Sequence, residues 1–258
     1  MYTTNTKKKC AVFTIVKNEN YFLPIWLKHY KKYFTNDDIY VLDHQSTDGS
    51  TEGLDVNVEL IINELAFDHQ WLVDTVQNFQ SKLLEQYESV LFAESDELVY
   101  TLGKPLNEVI DEFLLDEPSI VQTCTAKEVM ENIGVEKELE SGDEIFKHRN
   151  QWFDNSIYHK TLLSKVPLKW VWGFHFTKNA SVDKKHNLQL VHLHRCDFNF
   201  MLKRHEERAT KWNLKDDGKG VGFQHRIGDR EGVLNYFNNI GSKLEIIPQE
   251  HKDALNGI

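Results

Sequence analysis

Four groups of polar side chains in this sequence have types and spacings suited to phosphate or metal chemistry. They are Lys17-Asn18-Glu19, the run from Asp43 to Asp48, Glu94-Ser95-Asp96-Glu97, and the alternating pair His192 and His194. The first three each follow a short apolar, strand-like segment. In an open parallel sheet, ligands gather at the carboxyl ends of strands, so polar residues in that position are candidates for binding. Carboxylates converging from such ends need a cation to offset their repulsion. Oxygen ligands suit a hard ion, Mg²⁺ or Mn²⁺, and a diphosphate can complete its shell. Each group also has a plainer reading. Asp43 and Asp48 can cap a helix or close an Asx-turn, Glu94 to Glu97 can be a solvated acidic turn, and the histidines can be satisfied core residues.

The elements that must position these groups follow from hydrophobic patterning. Cys10 to Val16 is a compact, β-branched run and predicts a buried strand. Tyr21 to Tyr33 predicts a helix, with Phe22, Ile25, Trp26, His29, Tyr30 and Tyr33 at three- and four-residue spacing and Lys28, Lys31 and Lys32 on its solvated side. Strands are expected at Ile39 to Leu42, Val58 to Ile62 and Ser89 to Ala93, with a helix over Asp68 to Tyr87 between the last two. Such alternation implies a mainly parallel sheet flanked by helices. Further on, the pattern predicts a helix at Leu106 to Leu115, a strand at Ser119 to Thr125, and an irregular stretch to about Asn155. It resumes at Ser156 to Ser164 and reaches a strand at Leu188 to His194, where Leu188, Leu190, His192 and His194 share one face. Phe198 to Trp212 reads as a charged helix, Asp216 to Gly222 as a flexible loop and Pro248 to Ile258 as a weakly packed tail. The aromatics from Trp170 to Phe176 read first as core packing.

The ordered set VKNENYFLPIWLKHY, YVLDHQSTDGS and VLFAESDELV resembles the family 2 type of GT-A glycosyltransferases, well over Cys10 to Val99 and loosely over Ser156 to Arg208. The resemblance implies an α/β, Rossmann-like GT-A fold and transfer of a sugar from a UDP-, GDP- or dTDP-linked donor to a glycan or other saccharide acceptor, with inversion. It places Thr14, Lys17, Asn18, Glu19 and Asp43 around base and ribose. Ser46, Thr47 and Asp48 form the rest of a D-x-x-S-T-D-G signature. Glu94, Ser95 and Asp96 stand at a D-x-D-like motif whose first position departs to Glu, with Glu97 following. Asp96 is then the ligand of Mn²⁺ or Mg²⁺, completed by His194 or alternatively His192. Asp154 and His175 are candidate bases, and Arg195, Arg204 and Lys211 candidate diphosphate contacts.

Composition narrows the alternatives. The 258 residues carry 40 acidic against 30 basic side chains, a net charge of -10, which disfavours a nucleic-acid partner. One GT-A-like domain over 1–258 is expected: a nucleotide-sugar half at about 10–125, an acceptor and metal-completing half at about 126–215, and an extension at about 216–258. Cys10, Cys124 and Cys196 lack metal or disulfide spacing, which reads as a reducing compartment. With no apolar run of membrane-spanning length, the expected location is the cytoplasm, free or peripheral to a membrane. Two rivals remain. A nucleotidyltransferase would show a glycine-rich loop after the first strand, and Lys17 to Asn20 contains no glycine. A non-catalytic nucleotide-sugar-binding module is compatible with Glu94 and the unsettled base.

Overall fold

The computed structural model describes residues 6–63, 69–180, 183–211 and 226–258. In chain order the elements are Lys8–Val16 (β1), Phe22–Tyr30 (α1), Ile39–Asp43 (β2), Asn57–Leu60 (β3), His69–Leu84 (α2), Tyr87–Phe92 (β4), Glu97–Tyr100 (β5), Leu106–Leu115 (α3), Val121–Thr123 (β6) and Thr125–Met130 (β7). There follow Ile145–His148 (α4), Gln151–Asp154 (β8), Thr161–Ser164 (β9), Gln189–Arg195 (β10), Phe198–Lys211 (α5), Arg230–Asn238 (α6), Leu244–Ile246 (β11) and Gln249–Ala254 (α7). The strands form a six-stranded sheet in the order β3-β2-β1-β4-β9-β6 and a five-stranded sheet in the order β11-β8-β7-β10-β5.

In the first sheet, β3, β2, β1 and β4 are mutually parallel, as the alternation of strands and helices requires. Ala11, Val12 and Phe13 of β1 are all fully buried, so both faces of this central strand are covered. Phe13 lies against Phe79 of α2 at 5.3 Å and Phe92 of β4 at 4.9 Å between ring centres. The register pairs Val16 with Asp43, so β1 and β2 end level, and the Ala93 amide donates to the Phe13 carbonyl just past the end of β4. The three expected polar segments therefore emerge along one edge.

A second, mixed sheet accompanies the mainly parallel one expected from the alternation. Only β7 and β10 run parallel in it; β5, β8 and β11 are antiparallel to their neighbours. The segment read as one strand at Ser119 to Thr125 is divided between the sheets, with β6 in the first and β7 in the second. The stretch read as irregular holds most of β7, α4 and β8. These strands are short and carry charged residues inward: Glu128 is fully buried, which breaks the apolar pattern that reveals a strand. The tail read as weakly packed is also anchored, with Leu255 and Ile258 buried and the Tyr100 hydroxyl 2.6 Å from His251 Nδ1. The expected loop at 216–222 lies outside the described residues.

Strand β5 is an edge of the second sheet, and its outward backbone groups would be unpaired if nothing covered them. Helix α1 supplies the partners. The Tyr30 hydroxyl accepts from the Val99 amide at 2.9 Å and donates to the Glu97 carbonyl at 3.3 Å, while His29 Nε2 donates to the Val99 carbonyl at 2.8 Å. Burial disfavours the charged ring and lowers the His29 pKa to about 4, so His29 is neutral when folded. Below the ordinary value of 6.5 the unfolded chain takes up a proton that native His29 refuses until about 4, and stability falls as pH drops through that window. Denaturant titrations at about pH 7.5 and about pH 5 are expected to show wild type losing about 2 kcal/mol more than His29→Gln.

Candidate active site

At the ends of β1 and β2 the polar residues mainly join one loop to the other. Asn18 adopts φ 58°, a left-handed conformation that asparagine tolerates better than most residues. This lets its Oδ1 accept from the Thr47 amide at 2.8 Å while its own amide donates to Ser46 Oγ at 3.1 Å. Asp48 accepts from the amides of Asn20 at 3.2 Å and Ser50 at 3.0 Å. Burial works against its charge, but these hydrogen bonds prevail and hold its pKa below the ordinary value. Asp43 accepts from the Ser46 amide at 2.8 Å and the Thr51 hydroxyl at 2.9 Å. The signature thus builds a preorganised double loop. Lys17 is exposed beside it. Thr14 lies deeper, inside β1 opposite Val41, fully buried and with no partner for its hydroxyl among the described residues.

The acidic turn links β4 to β5 and is closed by the Glu97 amide donating to the Glu94 carbonyl at 2.9 Å. Ser95 and Asp96 are buried within it. Lys160, which directly precedes β9, is fully buried and donates to Glu94 Oε2 and Glu97 Oε1, both at 2.5 Å. Burial alone would strip its proton, but the two carboxylates outweigh that and raise its pKa. Sequence reasoning missed Lys160 because a lone lysine between two polar residues and a short strand carries no pattern.

Asp96 and Glu19 are joined by Arg204 of α5, whose guanidinium donates to Asp96 Oδ2 at 3.1 Å and to Glu19 Oε1 at 2.6 Å. Phe22 and Phe200 flank that guanidinium at 5.0 and 5.9 Å from their ring centres. Burial opposes the charge of Asp96, but His192, Arg204 and Arg208 prevail and hold its pKa down at about 2. Strand β10 brings in the histidines. His192 Nε2 is 3.7 Å from Asp96 Oδ1, its Nδ1 is 3.5 Å from Glu128 Oε1, and Tyr158 stacks on its ring at 4.1 Å. Burial and the charges of His192 and Arg204 push the His194 pKa well down, so its ring is neutral. His205 Nδ1 faces the Ile227 carbonyl at 3.1 Å and must carry a proton there. His194 Nε2 lies 3.4 Å from His205 Nε2, and its Nδ1 faces Asp96 Oδ2 at 3.9 Å. The register shifts between His192 and Arg195, which lets Arg195 also reach Glu128, at 2.7 Å.

The expected metal ligands can be tested against this geometry. Asp96 and His194 face one gap, but the carboxylate oxygen nearest His194 already accepts from Arg204. No group of three or more His, Cys, Asp or Glu among the described residues could hold a metal ion. Between Asp96 and His194 as arranged, Mn²⁺ or Mg²⁺ does not fit: a guanidinium takes the place such a cation would have.

The other expected residues divide. His175 sits edge-on to Tyr158 at 5.1 Å, one ring removed from His192, with Nδ1 3.0 Å from the Ile157 carbonyl; burial lowers its pKa to about 4. Asp154 faces His159 at 3.5 Å and Lys127 at 3.9 Å, and no described contact brings it to Asp96. Arg195 is committed to Glu128 and to the Tyr236 carbonyl at 3.2 Å. The Lys211 side chain lies outside the described residues.

No protein-family model and no curated protein matches the chain. Among solved structures it is similar to S. aureus TarS 1–349 in complex with UDP-GlcNAc, at 13% identity over 89% of this chain and 71% of that one, with a TM-score of 0.36. It is also similar to a cytidylyltransferase from Leptospira borgpetersenii, at 12% identity over 45% of this chain and 54% of that one, with a TM-score of 0.28. The mannosyltransferase Ktr4p from S. cerevisiae shares 15% identity over 49% of this chain and 41% of that one, with a TM-score of 0.30. These likenesses are partial, and the chain spans only about half the length of the cytidylyltransferase. No described helix is long and apolar enough to cross a membrane.

Removing Lys160 would leave Glu97 as an uncompensated buried charge. Lys160→Met is expected to lower unfolding stability by about 3–5 kcal/mol, and adding Glu97→Gln to recover part of it, as measured by denaturant titration.

Proposed function

We propose that this chain transfers a sugar from a nucleotide diphosphate donor to a hydroxyl group of a saccharide acceptor. The observation that carries the reading is the meeting of Glu19 and Asp96 on Arg204, which draws the ends of β1 and β4 together beside the locked β1 and β2 loops. A crevice at the carboxyl ends of parallel strands is where such folds take nucleotides, and the resemblance of these same segments to family 2 glycosyltransferases gives the reaction class. UDP-, GDP- and dTDP-sugars are the candidate donors.

On this reading the acceptor oxygen bonds to the anomeric carbon as that carbon's bond to the diphosphate oxygen breaks. The electron pair leaves with the nucleoside diphosphate, and the acceptor proton passes to a base. His175 is better placed than Asp154 for that role, since it packs on Tyr158, which in turn stacks on His192. Its ring is neutral near pH 7 and can accept a proton, though a pKa of about 4 makes it a modest base. Trp172 and the exposed Ile157 and Phe176 offer apolar surface beside it for a sugar face. The divalent ion expected from the acidic motif is left out of the proposal, because the side chains as arranged do not form its site.

Thermal unfolding against UDP-, GDP-, CMP- and dTDP-sugars is expected to show a raised midpoint with one nucleotide family, about 2.7 kcal/mol of stabilisation at a hundred times Kd. Release of the nucleoside diphosphate should then require a saccharide acceptor. A chain that binds a donor but never releases it is the non-catalytic module, and the absence of a shift with every donor overturns the proposal.

A further inference from the structure

We propose that Arg204 and Arg208 together meet the diphosphate of the donor, so that this site binds a nucleoside diphosphate without a divalent ion. The inference rests on the nucleotide-sugar reading and deepens it by naming the charge that takes the phosphates.

The acids that would recruit a metal are already matched by cations of the protein. Glu94 and Glu97 share Lys160, and Asp96 and Glu19 share Arg204. A divalent ion between Asp96 and His194 would have to compete with Arg204 for Oδ2 and sit against a guanidinium of like charge. The usual reason for a metal at an acidic turn, carboxylates without a counter-charge, is absent here.

Of the two arginines on this face, Arg208 is the one with no hydrogen bond among the described residues. It lies one turn beyond Arg204 on the same face of α5. Its closest carboxylate contact is Glu19 Oε1 at 4.0 Å, the oxygen that already accepts from Arg204 at 2.6 Å. It makes no hydrogen bond among the described residues, and its side chain is 34% exposed where that of Arg204 is 11% exposed. Burial, then the charge of Arg204, lower its pKa to about 10, as expected of a cation short of counter-charge. Two guanidinium groups a helical turn apart, about 6 Å along the axis, can each present paired N–H donors to one phosphate of a diphosphate. The aromatic flanks hold Arg204 in place, and Arg208 remains able to turn toward a ligand. Both stand beside Glu19 and Asp96, at the strand ends where the nucleotide is proposed to lie.

The test is calorimetric titration of UDP, GDP and dTDP into wild type, Arg208→Met and Arg208→Lys, each in EDTA and in Mn²⁺. Arg208 is partly open and makes no hydrogen bond among the described residues, so both variants are expected to keep the wild-type unfolding midpoint. One nucleotide is expected to bind in EDTA within about three-fold of its affinity in Mn²⁺. Arg208→Met should weaken it by about ten-fold or more and Arg208→Lys by less. Binding that needs Mn²⁺ overturns this inference and leaves the donor reading standing. Unchanged binding by Arg208→Met also overturns it. No binding of any nucleotide in either buffer overturns the donor reading, and this inference with it.

Discussion

The Arg204 guanidinium bridges two buried carboxylates that arrive from different places: Glu19 from the loop after β1 and Asp96 from the turn after β4. A carboxylate removed from water is strongly disfavoured unless a cation or several hydrogen bonds replace its hydration. The ends of the two strands and helix α5 are therefore not independent, because displacing any one of them strands a charge. The planar fork suits this task, since it can address two acceptors at once in fixed directions, which a lysine ammonium at the same point would do with less definition.

The same logic operates where the chain passes between the two sheets. Among its passages between the sheets, it crosses from the first to the second at the acidic turn between β4 and β5 and again at Cys124 between β6 and β7, and it returns between β8 and β9. Lys160 stands at the return crossing and reaches the first through Glu94 and Glu97, while its carbonyl accepts from the Cys124 amide at 2.8 Å. One residue thus ties these three crossings together with side chain and backbone. The acidic turn owes its conformation to this internal ion pairing, and Asp96 is carried in the middle of it.

Much of the first sheet was legible in the sequence because its strands are apolar runs separated by amphipathic helices, a pattern set by burial. The polar ends of those strands were located correctly, yet their partners were not. Nothing in Asp43 or Asp48 distinguishes a nucleotide contact from a loop hydrogen bond until the facing loop is in place, and the structure shows the loop hydrogen bonds. Arg204 was named for phosphate contact, but its bridging of Glu19 and Asp96 depends on 185- and 108-residue separations that no local pattern encodes. The second sheet escaped because β7 buries Glu128 between Lys127 and Val129, and a charged inward position is explicable only once His192 and Arg195 are seen opposite it.

The ion-paired trio of Lys160, Glu94 and Glu97 also has a consequence for inheritance. Loss of the lysine alone leaves two acids with no counter-charge, and loss of an acid alone leaves the lysine short of one, so single steps pass through destabilised intermediates. The three positions should therefore change as a set among descendants of this chain. A pairing of residues some sixty positions apart would then mark its lineage more faithfully than the short acidic motif by itself, which any solvated turn can imitate.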